Sequence, residues 1–141
     1  MRNWARIAVI TLVGLGLAGA AQAVEEVDRA AGRAAIGQQI DAFRRDDRAS
    51  AFALASPGIR GMFGSEDAFL EMVRRSYRPV YRPRRFEFGE ARDLPEGFEQ
   101  SVAIQDEGGV DWDAIYSFER QPDGSWRISG CRLVKRPGDS V

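Results

Sequence analysis

The chain has 141 residues, a length that suits one domain and leaves no room for a separate regulatory module. Its 20 basic side chains nearly balance 21 acidic ones, so nothing calls for a polyanionic partner, and 44% apolar with 29% charged residues is ordinary globular usage. It has no histidine and a single cysteine, Cys131, which excludes Ser-His-Asp and Cys-His nucleophile pairs, imidazole zinc sites and internal disulfides.

At the N-terminus, Arg2 and Arg6 flank a short polar start, Ile7 to Ala20 carries no charge, and Ala21-Gln22-Ala23 has the small-x-small form that signal peptidase accepts. These residues predict a secretory leader over 1–23, cut between Ala23 and Val24. The remaining single domain, 24–141, is then periplasmic or secreted. A membrane span needs about 20 apolar residues, so the uncharged run is too short to serve as a stable anchor. No cysteine stands near the cut to carry a lipid, and the two arginines are not adjacent as a twin-arginine signal requires.

From about Val27 to Phe43, Ile36, Ile40 and Phe43 recur at helical spacing, with alanines allowing close approach. Asp46 or Asp47 then caps a second short helix that Ser56-Pro57-Gly58 stops. PGIRGMFG is glycine-rich, and Ile59, Met62 and Phe63 are expected to plug the core ends from a turn. Ser65 caps a third helix, with Glu66 and Asp67 in its first turn, Phe69, Val73 and Tyr77 stacked at steps of four, and Pro79 at its end.

The periodicity then becomes alternating. Arg85 to Ala91 and Phe98 to Gln105 read as strands, and in 110–120 the residues Val110, Trp112, Ala114, Tyr116 and Phe118 alternate with mostly polar ones. Pro122-Asp123-Gly124 turns the chain into a last strand over 125–135. There Trp126 and Ile128 share one register and Cys131 and Leu133 the other, so a one-residue bulge at Ser129-Gly130 is needed to bring both pairs to one face. Cys131 is expected to be buried and inert, and the tail 137–141 to fray.

Three helices followed by a four-stranded antiparallel meander predict an α+β domain, with N-terminal helices packed on one face of a curved sheet. This order of elements resembles the NTF2-like, cystatin-like cone, a likeness of fold that carries no activity. Two stretches, AFALASPGIRGMFGSEDAFLEMVRRSYRPVYRPR and DWDAIYSFERQPDGSWRISGCRLV, together resemble the domain of unknown function 4864 family of small exported bacterial proteins, over about Gln38 to Val134. The resemblance implies an exported single domain and supplies no catalytic or ligand residues.

Three groups of residues could carry a function. In RRSYRPVYRPRRF, residues 74–86, arginines alternate with Tyr77, Tyr81 and Phe86, a composition suited to anions, and Arg82, Arg84 and Arg85 are the anion-binding candidates. Export argues against nucleic acid as the partner. The blander reading buries the tyrosines on the sheet and leaves the arginines as a solvated rim; Lys135 is the single lysine, and arginines spread along the whole chain fit a genome-wide codon preference.

The mouth of the cone is the second group. Gln39 lies beside the apolar stripe of the first helix, and Trp112, Tyr116 and Trp126 are on inward faces. With Tyr77 and Tyr81 these are the candidate ligand-binding residues, apolar walls with a few polar groups. Each aromatic also reads as core filling. The third group, Asp106, Glu107, Asp111 and Asp113, lacks the wrapped alternation of a calcium loop. No metal site, cofactor or phosphate-binding motif is expected.

The sequence therefore predicts a non-enzymatic protein that binds a small apolar or amphipathic ligand or serves another envelope protein, leaving monomer and homodimer open. The alternative is a cofactor-free NTF2-like enzyme of isomerase or hydrolase type, using Tyr or carboxylate groups in the cone. A desolvated carboxylate in the pocket would mark the enzyme.

Overall fold

The computed structural model describes residues 23–138. Of the leader expected over 1–23 only Ala23 falls among them, and of the tail expected over 137–141 only Pro137 and Gly138; the rest of both lies outside the described residues.

Helix α1, Glu26–Arg44, buries the face that carries Ile36, Gln39, Ile40 and Phe43. Gly32 lets it settle close to the sheet, since a Cβ at that position would stand 2.6 Å from Cζ of Phe98. The chain then reverses through Asp46, whose φ of 52° lies in the left-handed region that asparagine and aspartate tolerate better than most residues. Tyr81 and Arg82 both donate hydrogen bonds to the Asp46 carboxylate and hold the turn in place. Asp47 caps α2, Arg48–Ala53, by accepting from the Ser50 amide at 3.1 Å.

Residues 57–63 depart from the expected turn. They form a helix, α3 (Pro57–Phe63), despite Gly58 and Gly61, because the ends outweigh the interior. Pro57 pre-sets the first turn, Ser56 Oγ accepts from the Ile59 amide at 3.4 Å, and Gly64 closes the helix at φ 75°. No residue of α3 is buried. Its N-terminal end is moored where Ile128 donates to the Leu54 carbonyl (2.9 Å) and Ser56 donates to that of Ile128 (2.8 Å), a short parallel bridge onto the last strand.

Ser65 caps α4, Glu66–Ser76, which buries Phe69, Leu70 and Val73. This helix ends before Pro79, and Pro79 instead opens the single turn α5, Arg78–Tyr81, where a missing N–H does no harm.

Strands β1 (Arg85–Leu94), β2 (Gly97–Gln105), β3 (Asp111–Arg120) and β4 (Trp126–Lys135) form one antiparallel meander in that order. The chain is thus α+β, helices first and sheet second. Phe98, Gln100 and Val102 pair with Phe118, Tyr116 and Ala114, and all six are buried on the helix-facing side. Phe98 and Phe118 stack at 4.8 Å and form the seat for Gly32.

Two bulges bend the sheet. In β4, Gly130 pairs with Ser117 and Ile128 with Phe118, so Ser129 is the extra residue and Cys131 faces the same way as Ile128. In β1, Gly89 and Glu90 together oppose Ser101. Gln100 Nε2 gathers the carbonyls this leaves, donating to Gly89 and Ser101 at 2.9 Å each.

Candidate functional site

Where α3 and α4 stand off the inner face of β3 and β4, a pocket of about 260 Å³ remains. Its inner wall is made by buried residues from three directions: Gln39 and Phe43 from α1, Phe69 and Val73 from α4, and Tyr116 and Ile128 from the sheet. Ser129, Gly130 and Cys131 add the bulged segment of β4. Ile59, Met62 and Phe63 of α3, with Met72 and Tyr77, are more exposed and form the rim; Met62 is 75% exposed. Among the described residues, no Asp, Glu, Lys or Arg lines the pocket.

The polar groups on this wall are few and neutral. Gln39 donates through Nε2 to the Ala51 carbonyl at 3.2 Å, tying α1 to α2. Tyr116 is 1% exposed, and its hydroxyl closes no hydrogen bond among the described residues. Burial pushes that phenol well above its ordinary range, and the neighbouring Cys131 thiol adds to the shift. Burial also pushes the Cys131 thiol up to about 12, with Tyr116 acting in the opposite direction. At neutral pH the phenol is therefore a donor that lacks an acceptor, beside a thiol that is protonated. A second buried oxygen without a partner, Gln100 Oε1, belongs to the residue directly opposite Tyr116 on β2.

Of the six residues that the sequence offers as ligand-binding, the fold brings Gln39, Tyr77 and Tyr116 to one pocket. Tyr81 is buried elsewhere: its ring lies 6.0 Å from that of Phe43 and beneath Arg82, and its hydroxyl donates to Asp46. Trp112 and Trp126 sit at the sheet's margins with their indole N–H groups already satisfied. Trp112 donates to Asp106 (2.9 Å), which also accepts from the Gly108 and Val110 amides and so organises the β2–β3 turn. Trp126 donates to Asp28 at 3.0 Å, packs edge-on to Phe98 and lies under Arg120, fastening the start of α1 to β4.

The basic segment is divided. Arg82 is committed to Asp46, to the Phe43 carbonyl and to the Tyr81 ring, Arg78 pairs with Glu107 at 3.1 Å, and Arg74 and Arg75 pair with Glu71. Among the described residues neither Arg84 nor Arg85 makes an ion pair. Arg85 borders a polar concavity of about 480 Å³ together with Arg136, but Glu87 and Asp111 share that wall and balance the two positive charges. Asp113 pairs with Arg136 at 2.6 Å on the sheet's outer face. Among the described residues no group of three or more His, Cys, Asp or Glu side chains is placed to hold a metal ion.

Sequence reasoning missed Cys131 and Ser129 as wall residues and Met62 and Met72 as rim residues. The one usable signal was the β4 register break, since the bulge that realigns the strand is what presents Ser129 and Cys131 to the pocket. No curated protein and no solved structure matches this chain. The model of one family, described as Domain of unknown function (DUF4864), matches residues 25–141, and the chain belongs to that family.

Proposed function

We propose that this chain is a non-enzymatic binding protein for a small apolar or amphipathic molecule, working in the periplasm or outside the cell once residues 1–23 are removed. The observation that carries the reading is Tyr116, on the wall of a largely apolar, uncharged pocket, whose buried hydroxyl has no partner among the described residues. Leaving such a group unpaired costs about 1–3 kcal/mol, a cost that a bound acceptor relieves. A pocket of about 260 Å³ is at the lower edge of ligand sites in general, which favours a compact molecule.

Binding is favoured over the NTF2-like enzyme reading by Tyr116 and the carboxylates. A tyrosine doing acid–base work needs its phenol lowered toward neutral pH, whereas that of Tyr116 is raised; a carboxyl group doing so must be desolvated in the pocket, with its pKa raised toward neutrality. Here the lining contains none, and Asp28, Asp46 and Asp106 are all shifted downward by hydrogen bonds that tie turns and helix ends together. Native mass spectrometry of the protein purified from its own periplasm tests the proposal. The expected spectrum contains a non-covalent adduct of small mass that the variant Met72→Trp, which fills the rim, loses. An adduct retained in that variant would place binding elsewhere and refute the reading.

A further inference from the structure

The walls also restrict what the pocket can hold. A charged group brought here would leave water without meeting a counter-charge, because none of the described residues lining the site is ionised. An entirely hydrocarbon ligand would leave the Tyr116 hydroxyl unpaired, as it is in the protein alone. Tyr116 and Cys131 pair across β3 and β4 and both line the pocket, with the hydroxyl beside the thiol and its oxygen covered, so a ligand's acceptor reaches it by displacing a neighbouring wall side chain. Thiol sulfur is a poor acceptor and does not compete well with oxygen.

We infer that the pocket selects neutral molecules bearing an oxygen acceptor, a ketone or ester carbonyl above all, which receives the hydrogen bond that Tyr116 donates. The inference rests on the binding reading and adds a chemical class to it. Tyr116 is the specificity-determining residue, while Phe43, Phe69 and Val73 supply contact that any apolar body of the right size can use. The phenol remains protonated far above neutral pH, so its role as donor does not change across the physiological range.

Three probes of nearly equal size test this: acetophenone, α-methylstyrene, in which a methylene replaces the carbonyl oxygen, and benzoate, which adds a charge. Each is titrated into wild-type protein and Tyr116→Phe, following the methyl NMR signals of Ile59, Met62 and Met72 together with the carbonyl stretch of bound acetophenone. Wild type is expected to bind acetophenone about tenfold more tightly than α-methylstyrene, the worth of one well-made buried hydrogen bond, and benzoate too weakly to saturate. Its bound carbonyl stretch moves to lower wavenumber. In Tyr116→Phe the preference falls to about one, the wavenumber shift disappears and α-methylstyrene still binds. Equal binding of the two neutral probes by wild type, a preference that survives in Tyr116→Phe, or saturable binding of benzoate overturns the inference and leaves the binding reading standing. If neither neutral probe moves the rim methyl signals, the binding reading falls, and the inference with it.

Discussion

Replacing Tyr116 by Phe should make the ligand-free protein more stable. In most cores the same change removes a satisfied hydroxyl and costs stability, but here the hydroxyl is buried and bonded to no atom of the described residues. Its desolvation cost of about 1–3 kcal/mol disappears with it. Against that stand the weak contact with the Cys131 thiol and the dispersion lost with one oxygen atom, together well under 1 kcal/mol on the scale of single atom pairs. The net expectation is a gain of about 1 kcal/mol, or roughly 4 °C in Tm for a domain of this size. Urea unfolding of both proteins, stripped of ligand under denaturing conditions and refolded, measures it; the m-value should not change, because the surface exposed on unfolding does not. A variant less stable by 0.5 kcal/mol or more, taking about 0.5 as the ordinary scatter of neutral substitutions, would mean that the hydroxyl is well bonded in the free protein. The assignment of Tyr116 as an unsatisfied donor would then be wrong.

Gly32→Ala forces a methyl to within 2.6 Å of the Phe98 ring and should cost about 1–3 kcal/mol, whereas Gly37→Ala, with open space around it, should gain about 0.5–1 kcal/mol from helix propensity; thermal denaturation of the pair separates steric contact from backbone preference. The Glu25 amide and the Trp126 indole hold the Asp28 carboxyl below its ordinary range, with Arg120 assisting, so its folded pKa lies under the unfolded value near 3.9. Its stabilising contribution is therefore complete above about pH 4 and is lost as the pH falls through the folded value; Asp28→Asn should flatten that part of the acid limb of a stability profile, and an unchanged limb would contradict the assignment. With its thiol pushed up to about 12, Cys131 should react with Ellman's reagent at pH 8 far more slowly in the folded protein than in urea, and a bound ligand should slow it further. Arg82→Ser should lower stability by releasing Asp46, Tyr81 and the Phe43 carbonyl together, while Arg84→Ser and Arg85→Ser leave the unfolding midpoint within experimental scatter.

Local pattern was enough to place most elements. The four-residue steps along α1, the serine and aspartate caps before α2 and α4, and the two-residue alternation of β2 and β3 each depend on neighbours in sequence. Even the β4 bulge was legible, because Trp126 with Ile128 and Cys131 with Leu133 cannot share a face without it. Helix α3 was not, since its glycines argue against helix while its stability comes from Pro57, Ser56, Gly64 and a mooring on β4 more than sixty residues away in the chain.

The sequence by itself determined the class of the fold, the order of its layers and the exclusion of histidine chemistry and of an internal disulfide, all of which follow from composition and periodicity. It also named Tyr116, but only as one inward aromatic among several. Tertiary structure alone decided which of those aromatics fill the core and which border a cavity. Trp112 and Trp126 found carboxylates at the sheet's margins and Tyr81 found Asp46, whereas the residues opposite and beside Tyr116, Gln100 and Cys131, leave its hydroxyl without an acceptor. Hydrogen-bond satisfaction is a property of the atoms that folding brings within about 3 Å, and no spacing along the chain encodes it.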